Sequence, residues 1–272
     1  MRRNTGETRK MTADPGSFVD LEHASVARGE KTVLHDISLR IASGEHVAIL
    51  GPNGCGKSTL IKTMNCECYP VASEGMRARI FGRERWEVFA LRKRLGIVAA
   101  ELPSERTLHT LGRDAVISGF FASSTIWPEM HVSEEMRRRA AAVLDQLEAG
   151  HLADKAVGEM SAGEMRRVLI GRALVHDPEM LLIDEPSNAL DLAAQSELRQ
   201  GLRRLAQHGV GIVLITHHLA DIIPEIDRVV MMREGRIFAD GPKSEVLTEE
   251  RLQKLFGVAV TMARRDGFYH VW

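Results

Sequence analysis

Gly51-Pro52-Asn53-Gly54-Cys55-Gly56-Lys57-Ser58-Thr59 is the stretch on which the reading of this chain turns. It fits G-x-x-x-x-G-K-[ST], a phosphate-binding loop between a strand and a helix. Both flanks agree with that context. His46-Val47-Ala48-Ile49-Leu50 is a short, apolar, β-branched run of the kind that forms a buried strand, and Ser58 to Met64 can continue as a helix. The glycines allow the backbone to curl until successive N–H groups point at one anion, and the helix start adds partial positive charge. Lys57 is then placed to reach the β- and γ-phosphates of a nucleotide, with the Ser58 hydroxyl offered to Mg²⁺.

Downstream of this loop, strand-like and helix-like runs alternate, which predicts a parallel α/β sheet. Met180-Leu181-Leu182-Ile183-Asp184-Glu185-Pro186 reads as an apolar strand ending in two acids. At such a strand end Asp184 can sit beside Mg²⁺, while Glu185 can orient a water and accept its proton. Ile212 to Thr216 reads as another buried strand, delivering His217 to the edge where open α/β sheets bind ligands.

Upstream, Phe18–Leu21, Thr32–Leu34 and Ile37–Ile41 are short β-like runs separated by turns at Arg28-Gly29-Glu30 and Ala42–Glu45, and they predict antiparallel pairing. Further strands are expected at Arg77–Gly82 and Leu95–Ala99. From Ser104 to Gly158 helix formers dominate, and Met136–Leu147 carries apolar residues at helical spacing. Its Arg137-Arg138-Arg139 run reads as a solvated helix face. Helices follow at Met165–Val175 and Gln195–Gln207, then a hairpin around Glu234-Gly235, and after Ser244 a short helix pair with one last strand. The expected architecture is therefore an α/β P-loop NTPase core at 17–243, with an N-terminal antiparallel β subdomain and a helical subdomain inserted at about 104–175. A tail at 1–16 and an extension at 244–272 packed on the domain complete it.

Bulk properties narrow the function classes. Of 272 residues, 44% are hydrophobic, enough for a sizeable core, and the formal net charge of −1 makes no electrostatic case for nucleic acid. No apolar run approaches the roughly 18 residues of a membrane span, and the polar start lacks the apolar stretch of a signal peptide. A cytoplasmic protein, peripheral on the cytosolic face of a membrane, is the expectation. Cys55, Cys66 and Cys68 form no disulfide framework, and Cys66-x-Cys68 lacks the second Cys or His pair that a structural metal needs.

The order of motifs resembles that of the ATP-binding cassette (ABC) ATPase family over about residues 17–240. The motifs are the P-loop, Met160-Ser161-Ala162-Gly163-Glu164, Leu182-Ile183-Asp184-Glu185-Pro186, Ala189-Leu190-Asp191 and Thr216-His217. The second is similar to the family signature L-S-G-G-Q, matching at Ser161 and Gly163 and departing at Met160, Ala162 and Glu164. The resemblance implies ATP as the nucleotide, with Mg²⁺, and hydrolysis coupled to transport. It implies a homodimer or heterodimer of cassettes in which Ser161 and Gly163 touch the γ-phosphate held by the other subunit, His217 as the switch histidine, and a separate membrane-spanning permease. Residues 247–257 and the closing segment resemble importer ATPases for iron complexes, and other short stretches resemble molybdate-type cassettes. Two positions depart from the pattern. Ala100, followed by Glu101, stands where the family has a Gln that reaches the Mg²⁺ site, and Arg28 stands where an aromatic usually stacks on adenine. The altered loop keeps a second class open, a soluble cassette that acts as a mechanical switch on a partner protein.

Overall fold

The computed structural model describes residues 16–99 and 104–272. The expectations for the N-terminal tail before Gly16, and for the substitution at Ala100 and Glu101, lie outside the described residues.

The chain opens with a long hairpin, β1 (Ser17–Arg28) and β2 (Lys31–Ala42). The runs expected separately at Thr32–Leu34 and Ile37–Ile41 are one strand, because a bulge at left-handed Asp36 absorbs the irregularity without breaking the pairing. The core strand β3 (Val47–Leu50) feeds through the phosphate loop into α1 (Lys57–Met64), and β4 (Arg77–Ile80) then pairs with β1. After α2 (Val88–Arg92) and β5 (Leu95–Val98) comes the helical block of α3 (Glu105–Leu108), α4 (Gly112–Ile117) and α5 (Glu134–Gln146). Helix α6 (Ala162–Leu174) returns the chain to β6 (Met180–Asp184), followed by α7 (Leu192–Gln207) and β7 (Gly211–Thr216). A second hairpin, β8 (Arg228–Arg233) and β9 (Arg236–Pro242), precedes α8 (Lys243–Val246) and α9 (Glu249–Phe256). The chain closes on β10 (Met262–Arg265) and β11 (Phe268–Val271), so the single last strand expected from sequence is a hairpin turned at Asp266-Gly267.

The central sheet runs β5-β6-β7-β3-β8-β9, parallel except for the last strand, and a separate antiparallel sheet runs β2-β1-β4. Side chains alternate between two cores, as the period-2 geometry of a strand demands. Ala48, Leu50, Leu181, Ile183, Ile212 and Leu214 face the helical block and the C-terminal extension, while Val47, Ile49, Leu182, Val213 and Ile215 face the N-terminal sheet and α1. Both faces are covered, which is why these strands read as continuous apolar runs. Among the described residues, no helix is long and apolar enough to cross a membrane.

The register then does the positioning. Leu50 pairs with Thr216, and Asp184 with Ile215, so β3, β6 and β7 end side by side. Arg139, expected on a solvated face, instead turns inward: it donates to the carbonyls of Leu174 and Val175 and pairs with Asp177, closing the C-terminus of α6. Sequence spacing along α5 alone carries no information about a helix terminus lying 35 residues further on.

Candidate functional site

The phosphate loop folds as its glycines require. Gly54 and Gly56 take φ values of 77° and 106°, and a Cβ at Gly51 would meet the Met232 carbonyl oxygen at 2.4 Å. Lys57 lies under the loop, 6% exposed, donating from Nζ to the carbonyl oxygens of Gly51 at 2.8 Å and Pro52 at 3.1 Å. The loop is tied to its surroundings by the Gly235 N–H, which donates to the Cys55 carbonyl. The Cys55 thiol is buried, and burial pushes its pKa up, so it behaves as packing rather than as a nucleophile.

Glu185 follows directly on β6 and is left-handed, with φ 42°. Its N–H donates to the Ile215 carbonyl at 2.8 Å, which anchors the turn to β7. That turn swings its carboxylate toward the loop: Oε1 lies 3.5 Å from Lys57 Nζ, Oε2 accepts from the Asn188 amide at 2.7 Å, and His217 Nδ1 stands 3.0 Å from Oε2. Burial opposes the charge on Glu185, but Asn188, His217 and Lys57 outweigh it and hold the carboxyl below the usual glutamate range. Glu185 is therefore ionised at neutral pH. The His217 ring packs against His218, with centroids 3.8 Å apart.

Asn53, Gly54, Gly56, Lys57, Ser58, Thr59 and Glu185, with Val33, line a cavity of about 200 Å³. Ser58 and Asp184 line an adjoining cleft of about 670 Å³, shared with Arg28 and Lys62. A hydroxyl and a carboxylate on one cleft suit Mg²⁺, a hard cation that takes few protein ligands and completes its shell with water and phosphate oxygens. Arg166, on α6, donates to the Ala99 carbonyl at 3.0 Å and lies within charge range of Asp184.

The structure thus brings together Lys57, Ser58, Asp184, Glu185 and His217, five residues drawn from three stretches of sequence. It does not bring Ser161 or Gly163 to them. Ser161 is the exposed N-cap of α6, and Gly163 lies so close to α7 that a Cβ there would meet the Ala194 Cβ at 2.8 Å. Asn188, which holds the Glu185 carboxylate, carries a role in this arrangement that sequence reasoning missed. It directly precedes the motif Ala189-Leu190-Asp191 in the sequence.

The profile of the family described as ABC transporter matches residues 34–188. The hemin import ATP-binding protein HmuV of Bradyrhizobium diazoefficiens is 30% identical over 264 residues, covering 94% of each chain. Among solved structures, cbiO1 of Clostridium perfringens, part of the ABC transporter complex cbiONQ, is 28% identical with a TM-score of 0.73, over 88% of this chain and 94% of that one. A dimeric ATP-binding cassette in a post-hydrolysis state, bound to ADP and Pi, is 26% identical with a TM-score of 0.67, over 82% of this chain and 98% of that one.

Proposed function

Because the chain belongs to the ABC transporter family, as an ATP-binding ATPase subunit, we propose that it hydrolyses ATP with Glu185 as general base and His217 as its partner at the γ-phosphate. The observation that carries this reading is the position of Glu185, ionised, 3.5 Å from Lys57 and 3.0 Å from His217 at the mouth of the phosphate loop.

The loop Gly51–Thr59 binds the triphosphate through backbone N–H groups, and Lys57 neutralises the β- and γ-phosphates. Ser58 and Asp184 are the residues that would hold Mg²⁺, which when bound spreads the charge of the phosphate oxygens. A water oxygen attacks the γ-phosphorus, the bond to the β,γ-bridging oxygen breaks, and ADP and inorganic phosphate leave. Glu185 takes the proton of that water as the bond forms. His217 keeps the carboxylate and the γ-phosphate in line.

Ser161 and Gly163, which do not line the phosphate cavity of their own chain, act on the nucleotide of a second cassette, and the working unit is a dimer. The dimeric relative bound to ADP and Pi supports this. We further propose that the dimer drives a separate permease and sits on the cytosolic face of a membrane through it. A hemin import relative aligned over nearly the whole chain supports an iron-complex importer, with hemin the first cargo to try.

Glu185→Gln tests the chemistry, because it keeps shape and hydrogen bonding but removes basicity. Single-turnover hydrolysis should slow at least ~10²-fold, with ATP affinity by calorimetry unchanged. Hydrolysis at the wild-type rate would remove Glu185 as the base.

A further inference from the structure

Asp221 is the one carboxylate in the fully buried class among the described residues, at 3% exposure, and no cation pairs with it. Its Oδ2 accepts two hydroxyl hydrogen bonds, from Ser187 Oγ at 2.6 Å and from Thr216 Oγ1 at 2.8 Å. Both hydroxyls are themselves buried. A carboxylate taken out of water without a cation is expensive, and an apolar residue would fill the same space at lower cost. What the side chain adds is a pair of short, directional hydrogen bonds to Ser187 and Thr216.

Those bonds join two particular loops. Ser187 lies two residues beyond Glu185, and Thr216 immediately precedes His217. Thr216 Oγ1 also accepts the N–H of His218 at 2.9 Å, and the Asp221 N–H donates to the His218 carbonyl. Together with the 3.0 Å approach of His217 to Glu185, the connections close a ring: Glu185, Pro186, Ser187, Asp221, Thr216, His217 and back to Glu185. The ring is built from segments 34 residues apart; the Glu185 N–H joins them at the Ile215 carbonyl, and the Asp221 carboxylate, which does not line the nucleotide cavity, bridges them again through side chains.

We propose that Asp221 is a positioning residue for ATP hydrolysis: its carboxylate clasps the Glu185 loop to the His217 loop and so sets the distance between base and histidine. The inference rests on the reading of Glu185 as the base. Without the clasp the Glu185 N–H still holds the Ile215 carbonyl, but the segments beyond it, at Ser187 and at Thr216–Asp221, lose the side-chain link that fixes one against the other. A displacement of about 1 Å at the reacting groups is enough to cost ~10²-fold in rate. Binding should be spared, because neither Ser187, Thr216 nor Asp221 lines the phosphate cavity.

Steady-state and single-turnover hydrolysis, with ATP affinity measured in parallel, test this on Asp221→Ala, Asp221→Asn and Ser187→Ala. Asp221→Ala should lower kcat by ~10- to ~10²-fold while leaving ATP affinity and KM unchanged. Asp221→Asn keeps one acceptor oxygen for both hydroxyls and should recover most of the rate. Ser187→Ala, which removes one bond and leaves the carboxylate, should fall between, and it carries the test if Asp221→Ala does not fold. The ¹⁵N signals of the His217 ring should shift in Asp221→Ala and stay in place in Asp221→Asn. Added to Glu185→Gln, Asp221→Ala should cost nothing more, since no base remains to be placed. A wild-type kcat in both Asp221→Ala and Ser187→Ala overturns the clasp. So does a loss of ATP affinity in step with kcat, or an undiminished loss in the Glu185→Gln background. A fast Glu185→Gln sinks instead the reading of the base.

Discussion

Lys57 has two carbonyl oxygens and one carboxylate around its ammonium, supplied by two different kinds of constraint. The carbonyls come from its own loop, and the carboxylate comes from the end of a strand whose register the sheet sets. The ammonium is almost wholly buried and held close to the loop, so its charge is presented to the cavity with little rotamer entropy left to lose on binding. Lys57→Ala should therefore abolish ATP binding measured by calorimetry, while the fold, read by circular dichroism, persists. ATP binding as tight as wild type would remove the phosphate loop from the site. Glu185 is placed at some conformational cost, since a left-handed non-glycine residue stores about 1–3 kcal/mol. The Ile215 carbonyl and the Asn188 amide hold it there. Such strain is characteristic of groups that must point where the backbone would not otherwise send them.

At the scale of elements, α6 shows how one helix start serves two ends. Ser161 Oγ accepts the Glu164 N–H and the Glu164 carboxylate accepts the Ser161 N–H, a reciprocal cap that satisfies two orphan donors. The cap uses the Ser161 oxygen as an acceptor and leaves its O–H able to donate, for example to a phosphate oxygen of a second cassette. Hydrogen bonds from Lys155 and from the Ser161 N–H pull the Glu164 carboxyl down to about 2. A folded-state value below the unfolded one means that the contribution is complete above about 4.3 and is lost as pH falls from there toward 2. Urea unfolding at a series of pH values should show this slope in the wild type and a weaker one in Glu164→Gln. Ser161→Ala should cost about 1 kcal/mol at neutral pH in the same assay. Equal slopes in wild type and Glu164→Gln would mean that the Glu164 carboxyl is not lowered in the folded state.

The central sheet has both faces covered, and the proposed chemistry lies where its strands β3, β6 and β7 end side by side. Ser161 and Gly163 line neither the phosphate cavity nor the adjoining cleft, and in the proposed dimer the site is completed when a second copy brings its own α6 to the nucleotide. ATP then favours the dimer by mass action. Sizing chromatography of Glu185→Gln should move to the dimer with ATP and return to the monomer with ADP, and a monomer under both conditions counts against a homodimer. The C-terminal extension belongs to the same body. Tyr269, 4% exposed, together with Leu252 and Leu255, joins the core on the helical side of the sheet. Tyr269→Ala should therefore destabilise the whole cassette by about 3 kcal/mol in urea unfolding, as buried aromatics do. A separate early transition, with the main one unmoved, would show the extension to be independent.

Local chemistry already determined much of this protein. A glycine-rich loop between an apolar strand and a helix, and acids or a histidine just past apolar runs, are readable because strand, turn and cap preferences act over a few residues. Lys57, Ser58, Asp184, Glu185 and His217 could be named as candidates on those grounds, and the α/β class and the antiparallel start could be read from the same local patterns. The ABC resemblance rested on the order of the same motifs. Tertiary structure decided the rest. Sheet register brought Leu50, Asp184 and Thr216 to one edge. Folding sent Arg139 to cap α6, merged two β-runs into β2, and made a hairpin of the chain's end. It also set the Asp221 carboxylate between two hydroxyls, Ser187 lying 34 residues away in sequence. Contacts of that kind come from long-range packing, and no periodicity or motif in the chain records them.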